Sequence, residues 1–525
     1  MFILILPGLT WGTYRCLNLD QVAFLNVTSS KRPYLHPVHF DKPLFSTYVN
    51  HFVVVTPVKN LQKVFVFSGF DKGKVEQTSA KVTLILARLL QYGFYAILVI
   101  LVFQISSKFF SPVAGAASAI LLGTCAGILP YVVFLTADVP LITWTVACFA
   151  CCCAIIKTPS LKYSLLAGAC AGIAFATKYN GLLIAPLIPL AHFLSPTSQP
   201  IRSTLRRPAF YAGCFAVPVA FVLANPYSLL DWKGFYHGFL YTYTVTPVYD
   251  GQTGSSYWAF LKAYPEIFGP ILSWMLLPLF VLSIGLIVSE KLTPLANRVW
   301  LLALAFFCLY FWKVGSFPRL ETRFVLPTIF VVLLLIAPAW SIVWKIRRLF
   351  LLLITVTAIY GFASGIFVGQ NFRQDPRQEA VRWAEKNFPE KVIIEYSGGS
   401  PDWRHMATRN ITSLRMPEGL DRKERFTKIF GNDPAMQEVL KRNLQPKNTD
   451  WFSPESREKR GATFVAFSSV DMTDSNLSDY YEAFLSGSYG FEKVFEGTSP
   501  NLPGWVYPQR TEFIRNHFTI FQKRN

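Results

Sequence analysis

Eleven stretches of the chain are almost free of charge and reach, or approach, the length of a bilayer-spanning helix: residues 1–17, 82–105, 112–135, 139–156, 163–177, 181–194, 209–224, 268–289, 299–314, 324–344 and 349–368. A span needs about 20 apolar residues, because hydrocarbon offers no partner to an unpaired backbone N–H or C=O. After residue 370 the pattern changes. A helical period runs over 376–387 and 478–486, and short runs at 391–396, 462–468, 491–495 and 518–522 read as strands. The pattern predicts a mainly α, polytopic membrane domain over 1–370 with about eleven helices, then a small α/β domain over 371–525. The first run has no basic segment before it and no small-residue cleavage site, so it reads as a retained helix rather than a signal peptide.

Composition sharpens that division. Of 525 residues, 52% are apolar, 16% aromatic and only 15% charged, where soluble domains carry about a quarter charged. The carboxylates are uneven: 21 of the 31 lie from Asn371 onward. A net charge of +19 would suggest nucleic acid if it formed one soluble patch. Much of the excess here sits in short loops between apolar runs, where cytoplasmic retention of Lys and Arg accounts for it. With the N-terminus in the cytoplasm, the cytoplasmic loops hold Lys108, Lys157, Lys162, Arg202, Arg206, Arg207, Lys291, Arg298, Lys345, Arg347 and Arg348, with Glu290. Asp20, Asp41, Asp71, Glu76, Asp138, Asp231, Asp250, Glu266 and Glu321 fall on the other face. An odd number of crossings puts the C-terminal domain on that face too. The nine cysteines all lie in or beside apolar runs, and Cys151-Cys152-Cys153 reads as helix packing rather than a metal site, since adjacent helical residues point about 100° apart.

Polar residues at the ends of these runs carry the candidate chemistry. Asp20 follows the first run. His36-Pro37-Val38-His39-Phe40-Asp41-Lys42-Pro43 stands in the first long outer loop. Thr136-Ala137-Asp138-Val139-Pro140 opens the fourth helix, and Thr177-Lys178-Tyr179-Asn180-Gly181 joins the fifth and sixth. Asn225-Pro226-Tyr227 begins the second long outer loop, while Arg319, Arg323 and Leu326-Pro327 flank the tenth helix. In this order, over roughly residues 1–345, these elements resemble the GT-C glycosyltransferases of the protein O-mannosyltransferase and aminoarabinose (lipid A) transferase type, in their bacterial form. The tail from Asp375-Pro376-Arg377 through Trp383 and Asn387-Phe388-Pro389 resembles the outer domain that many bacterial members append.

The resemblance implies a GT-C fold and transfer of a sugar from a polyprenyl-phosphate donor to a hydroxyl of an envelope lipid, glycan or protein. It implies Asp20 as the catalytic carboxylate, Asp138 as a second acidic residue, and Asp41 as a residue that binds a divalent metal in some relatives, here with His36, His39 or His237. The chemistry agrees independently. A carboxylate must take the acceptor proton as the bond forms, and cations must meet the negative charge growing on the leaving phosphate. Lys42, Lys178, Arg319 and Arg323 are the outer-face cations for that role, and arginine suits bidentate phosphate contact. Lys42 and at least one of the other three are expected to share a cavity with Asp20. Many relatives have Glu after the first aspartate, where this chain has Gln21. The rival readings are a transporter or flippase of lipid-linked glycans, which would show paired halves and mid-membrane charges, and an inactive envelope scaffold.

Overall fold

The computed structural model describes residues 8–11, 35–37, 40, 42–196, 201–244, 254–397, 401, 403, 410–416, 449–468, 475–499 and 517–524. The chain separates into two compact units. The main body of the first is Ala23–Ile366; the second combines Phe367–Leu502 and Gln509–Asn525 with Leu6–Val22 from the N-terminus.

The first unit is helical. Among the described residues six helices are long and apolar enough to cross a membrane: Lys72–Phe109, Asp138–Lys157, Pro270–Val288, Pro294–Gly315, Thr322–Val343 and the one that starts at Arg347. Four shorter apolar segments, Pro112–Gly123, Leu161–Thr177, Tyr179–Phe193 and Pro208–Ala224, coincide with four more of the predicted spans. The first predicted span is described only at residues 8–11.

Two predicted spans are not continuous helices. The run 112–135 breaks after Gly123 and resumes as a short turn of helix at Leu129–Val133. The break is stabilised from outside: Gly127 N donates to Ile267 O at 2.9 Å, and Cys125 Sγ lies 3.2 Å from the same oxygen. A side chain on Gly127 would meet the Ile267 backbone at 2.4 Å. Irregular backbone in an apolar span persists where protein, not lipid, covers it. The segment 181–194 likewise begins as a 3₁₀ turn, Tyr179–Ile184, before Leu187–Phe193 turns α-helical.

Helices Leu161–Thr177 and Pro208–Ala224 lie backbone to backbone. A Cβ on Gly168 would sit 2.2 Å from Gly213 O, and one on Gly172 2.4 Å from Val217 O. Small residues four apart permit this approach, which is how helices associate where no hydrophobic effect separates them from lipid. The close packing fixes where Lys178, the residue ending the first of these helices, emerges.

The second unit is a five-stranded mixed sheet. Strands β1 (Lys391–Tyr396), β2 (Asn410–Arg415), β3 (Phe464–Ser468), β4 (Phe491–Thr498) and β5 (His517–Lys523) lie in the order β2-β1-β3-β5-β4. β1 is parallel to β2 and β3, while β5 is antiparallel to β3 and β4. Alternate residues of β3 serve opposite faces. Phe464 and Ala466 pack with Ala380, Val381 and Ala384 of helix Pro376–Asn387. Val465 and Phe467 pack with Tyr480, Tyr481 and Phe484 of helix Ser475–Leu485. The sheet is therefore covered on both sides. β2 and helix Pro454–Arg460 were not among the predicted elements.

Candidate active site

Asp138 is the first residue of helix Asp138–Lys157. A capping role is one ordinary use of an aspartate there, but the cap position is Ala137 and no side chain bonds to the free N–H groups. The Asp138 carboxylate instead accepts from Lys178 Nζ at 2.7 Å, with the Asp138 side chain almost wholly buried and Lys178 about one-quarter exposed. The turn preceding it is irregular and is held by the long helix Lys72–Phe109. Gln91 Nε2 donates to Thr136 O at 2.7 Å, and Arg88 Nε donates to Val133 O at 3.2 Å.

Lys178 leaves its helix in an extended conformation, and the chain then folds back through Tyr179–Ile184. This return needs glycine at 181, where a Cβ would lie 2.3 Å from Ala174 O. Each residue of the turn reaches a different element. Tyr179 Oη donates to Phe40 O at 2.7 Å, which ties down the loop that carries Lys42, two residues before it. The same Phe40 backbone rests against Gly238, where an added Cβ would lie 2.5 Å away. Asn180 Nδ2 donates to Tyr310 Oη at 2.6 Å, and that hydroxyl donates to Phe324 O at 2.9 Å.

Phe324 is the meeting point of the cations. Lys178 Nζ lies 5.2 Å from its ring centre and the Arg323 guanidinium 5.6 Å. Arg323 and Arg319 both pair with the buried Glu321, one on each carboxylate oxygen. Thr322 Oγ1 donates to Glu266. Asp138, Lys178, Arg319 and Arg323 thus belong to one connected cluster, though they come from three regions of the chain spread over 185 positions. Such a set of charges at the ends of helices can hold an anion and stabilise charge growing on it. Lys42 is exposed and joined to the cluster through Phe40 and Tyr179. Asp20 and Asp41 lie outside the described residues.

The metal site expected at Asp41 with His36, His39 or His237 lies partly outside the described residues, which include neither Asp41 nor His39. Among the described residues no group of three or more His, Cys, Asp or Glu is placed to hold an ion. His237 stands in helix Trp232–Thr244 with Nδ1 buried, and His36 is engaged elsewhere, with Nε2 3.0 Å from Asp231 Oδ2.

Sequence reasoning passed over three contributors. Arg88 is completely buried inside the second apolar run. A cation within an apolar span was the available signal, because burying one there is costly. Glu321 was visible only as one more outer-face carboxylate. Tyr310 sits within an apolar helix and carried no signal; only the fold brings its hydroxyl to Asn180.

Residues 80–227 match the family model of dolichyl-phosphate-mannose-protein mannosyltransferases. That segment contains Asp138, Lys178 and the Asn225-Pro226-Tyr227 element. The structure is similar to that of ArnT from Cupriavidus metallidurans in the apo state, with a TM-score of 0.52 and 12% identity. It is similar also to the same protein bound to undecaprenyl phosphate, with a TM-score of 0.50 and 12% identity. Each alignment covers 99% of this chain and 96% of the other. Comparison with curated protein sequences finds no match. The fold is that of the GT-C proteins, and the resemblance drawn from the ordered motifs, to glycosyltransferases of the mannosyltransferase and ArnT type, is borne out.

Proposed function

We propose that this membrane protein transfers a sugar from a polyprenyl-phosphate carrier to a hydroxyl group on an envelope lipid, glycan or protein, with inversion at the sugar carbon. The acceptor oxygen bonds to the sugar carbon while Asp20 takes its proton, and the sugar–phosphate bond breaks with its electrons leaving on the phosphate. Lys178, Arg319 and Arg323, with Lys42 from the first outer loop, meet that charge. The observation carrying the reading is the cluster in which Lys178 and Arg323 share the Phe324 ring, Lys178 pairs with the buried Asp138, and the buried Glu321 joins Arg323 to Arg319. The fold neighbour bound to undecaprenyl phosphate supports the class of carrier. In this reading the site and the domain over 371–525 face away from the cytoplasm.

The test is transfer of labelled sugar from a polyprenyl-phosphate donor by the purified chain in detergent. Covalent transfer supports the proposal. Movement of a lipid-linked glycan across vesicles without any covalent product would assign the chain to the transporters instead. The topology is checked separately: a reporter fused after Asn525 that is active only outside the cytoplasm is expected to work, and cytoplasmic activity would reverse the orientation.

A further inference from the structure

Glu321 is set apart among the described carboxylates of this cluster by where its charge goes. It is 8% exposed, and its two oxygens are divided between two arginines, Oε1 toward Arg319 Nη2 and Oε2 toward Arg323 Nε. It precedes the short helix Thr322–Val325 but forms no side-chain cap there. Its contacts are therefore with the cations and not with the backbone it introduces. A carboxylate so placed does two things. It fixes both guanidinium groups, one of them over Phe324 beside Lys178. It also offsets one unit of the positive charge that Arg319, Arg323 and Lys178 bring to this connected cluster.

The charge matters because the proposed reaction changes the charge of what the site holds. A sugar joined to a carrier through a phosphodiester brings one negative charge. Once the sugar has moved to the acceptor, the carrier's phosphate is a monoester carrying about −1.5 to −2 at neutral pH, since its second pKa is near 6. Every additional positive charge therefore holds the spent carrier more firmly than the incoming donor. An uncompensated set of arginines would bind well and release badly.

We infer that Glu321 is a positioning residue that sets the charge of the phosphate site so that the spent polyprenyl phosphate leaves. The inference rests on the reading of this cluster as the phosphate site. It concerns turnover, and assigns no proton transfer or bond to Glu321 itself.

The experiment uses the full chain in nanodiscs and measures three quantities: KM for the donor, kcat, and inhibition by added polyprenyl phosphate. Glu321→Gln keeps the size of the side chain and one carbonyl acceptor but removes the charge. Its inhibition constant for polyprenyl phosphate is expected to fall by about tenfold or more, the effect of one unit charge a few ångström away in a partly shielded site. KM is expected to fall less, and kcat to fall as release slows. Adding Arg319→Gln to that variant restores the net charge, and is expected to return the inhibition constant most of the way to that of the parent. A folded Glu321→Gln chain with unchanged or weaker product inhibition overturns the inference, and so does a double variant that recovers nothing. Should Glu321→Gln fail to fold, Glu321→Asp keeps the charge while shifting the arginines. It is expected to raise KM without altering the ratio of the two constants, and an altered ratio overturns the inference. Binding of polyprenyl phosphate is also measured without turnover. Tighter binding to Glu321→Gln in a chain that transfers nothing supports the charge role while ending the transferase reading. Transfer by the parent with no change in binding ends the inference alone.

Discussion

An Asp20→Asn chain is expected to fold, to bind the donor lipid, and to lose sugar transfer by about 10²–10⁴-fold, the usual contribution of a general base. The substitution preserves the size and hydrogen-bonding shape of the side chain. Only the step that needs a proton acceptor should suffer, so kcat falls while donor binding holds. If Asp20 merely caps a helix, the same change does almost nothing, since Asn caps about as well as Asp. Transfer of labelled sugar by purified protein separates the two. Turnover at the parent rate would end the assignment, and the acidic role would then pass to Asp138 or Asp41. Of these, Asp138 is already engaged by Lys178 at 2.7 Å.

The largest effect on stability is expected at Asp375. Its carboxylate is fully buried and accepts from Trp11 Nε1 at 3.0 Å, Arg377 N at 2.9 Å, Arg377 Nε at 2.9 Å and Arg377 Nη2 at 2.6 Å. Trp11 also packs edge-on against Phe372 and lies under the Arg377 guanidinium. Asp375→Ala leaves the Arg377 guanidinium, itself 2% exposed, buried with its carboxylate gone. Removing one partner of a buried pair costs about 3–5 kcal/mol, against a domain stability of about 5–15 kcal/mol. The second unit should therefore unfold at a temperature lower by roughly 10 °C or more. Thermal unfolding in detergent, followed by near-ultraviolet circular dichroism, reads this directly. Replacing both partners by apolar residues, as in Asp375→Leu with Arg377→Met, should recover much of the loss, because the cost lies mostly in the stranded charge. A melting temperature within about 2 °C of the parent for Asp375→Ala would show the pair to be dispensable.

The helical architecture was readable because a bilayer imposes a length and a polarity on whatever crosses it. Ten of the eleven predicted spans coincide with helical segments among the described residues. The break after Gly123 was not readable as a break. Apolar composition continues through it, and the group that satisfies the interrupted backbone comes from elsewhere, the Ile267 carbonyl. In the second unit, β1, β3, β4 and β5 announced themselves by apolar runs of strand length. β2, Asn410-Ile-Thr-Ser-Leu-Arg, is an edge strand whose apolar Ile411 and Leu414 do not alternate. It exists because β1 offers it a parallel partner.

The candidate site divides in the same manner. Asp138, Lys178, Arg319 and Arg323 were each visible from sequence as charged residues at the ends of apolar runs, since a charge is tolerated where a span meets water. What pairs with what was decided only by tertiary structure. Lys178 could have served a phosphate alone, yet the approach of helices through Gly168 and Gly172, and the fold-back at Gly181, deliver it to Asp138. The two arginines could have pointed apart, yet Glu321 gathers them and one of them shares the Phe324 ring with Lys178. Arg88 and Tyr310 join from within apolar helices; the charge of Arg88 marks it there, while nothing in the local pattern marks the contact of Tyr310. Sequence determines which side chains are charged and how far along a helix they stand. Which charges neutralise one another depends on ångström-scale approach between helices distant in the chain, and that is set by packing.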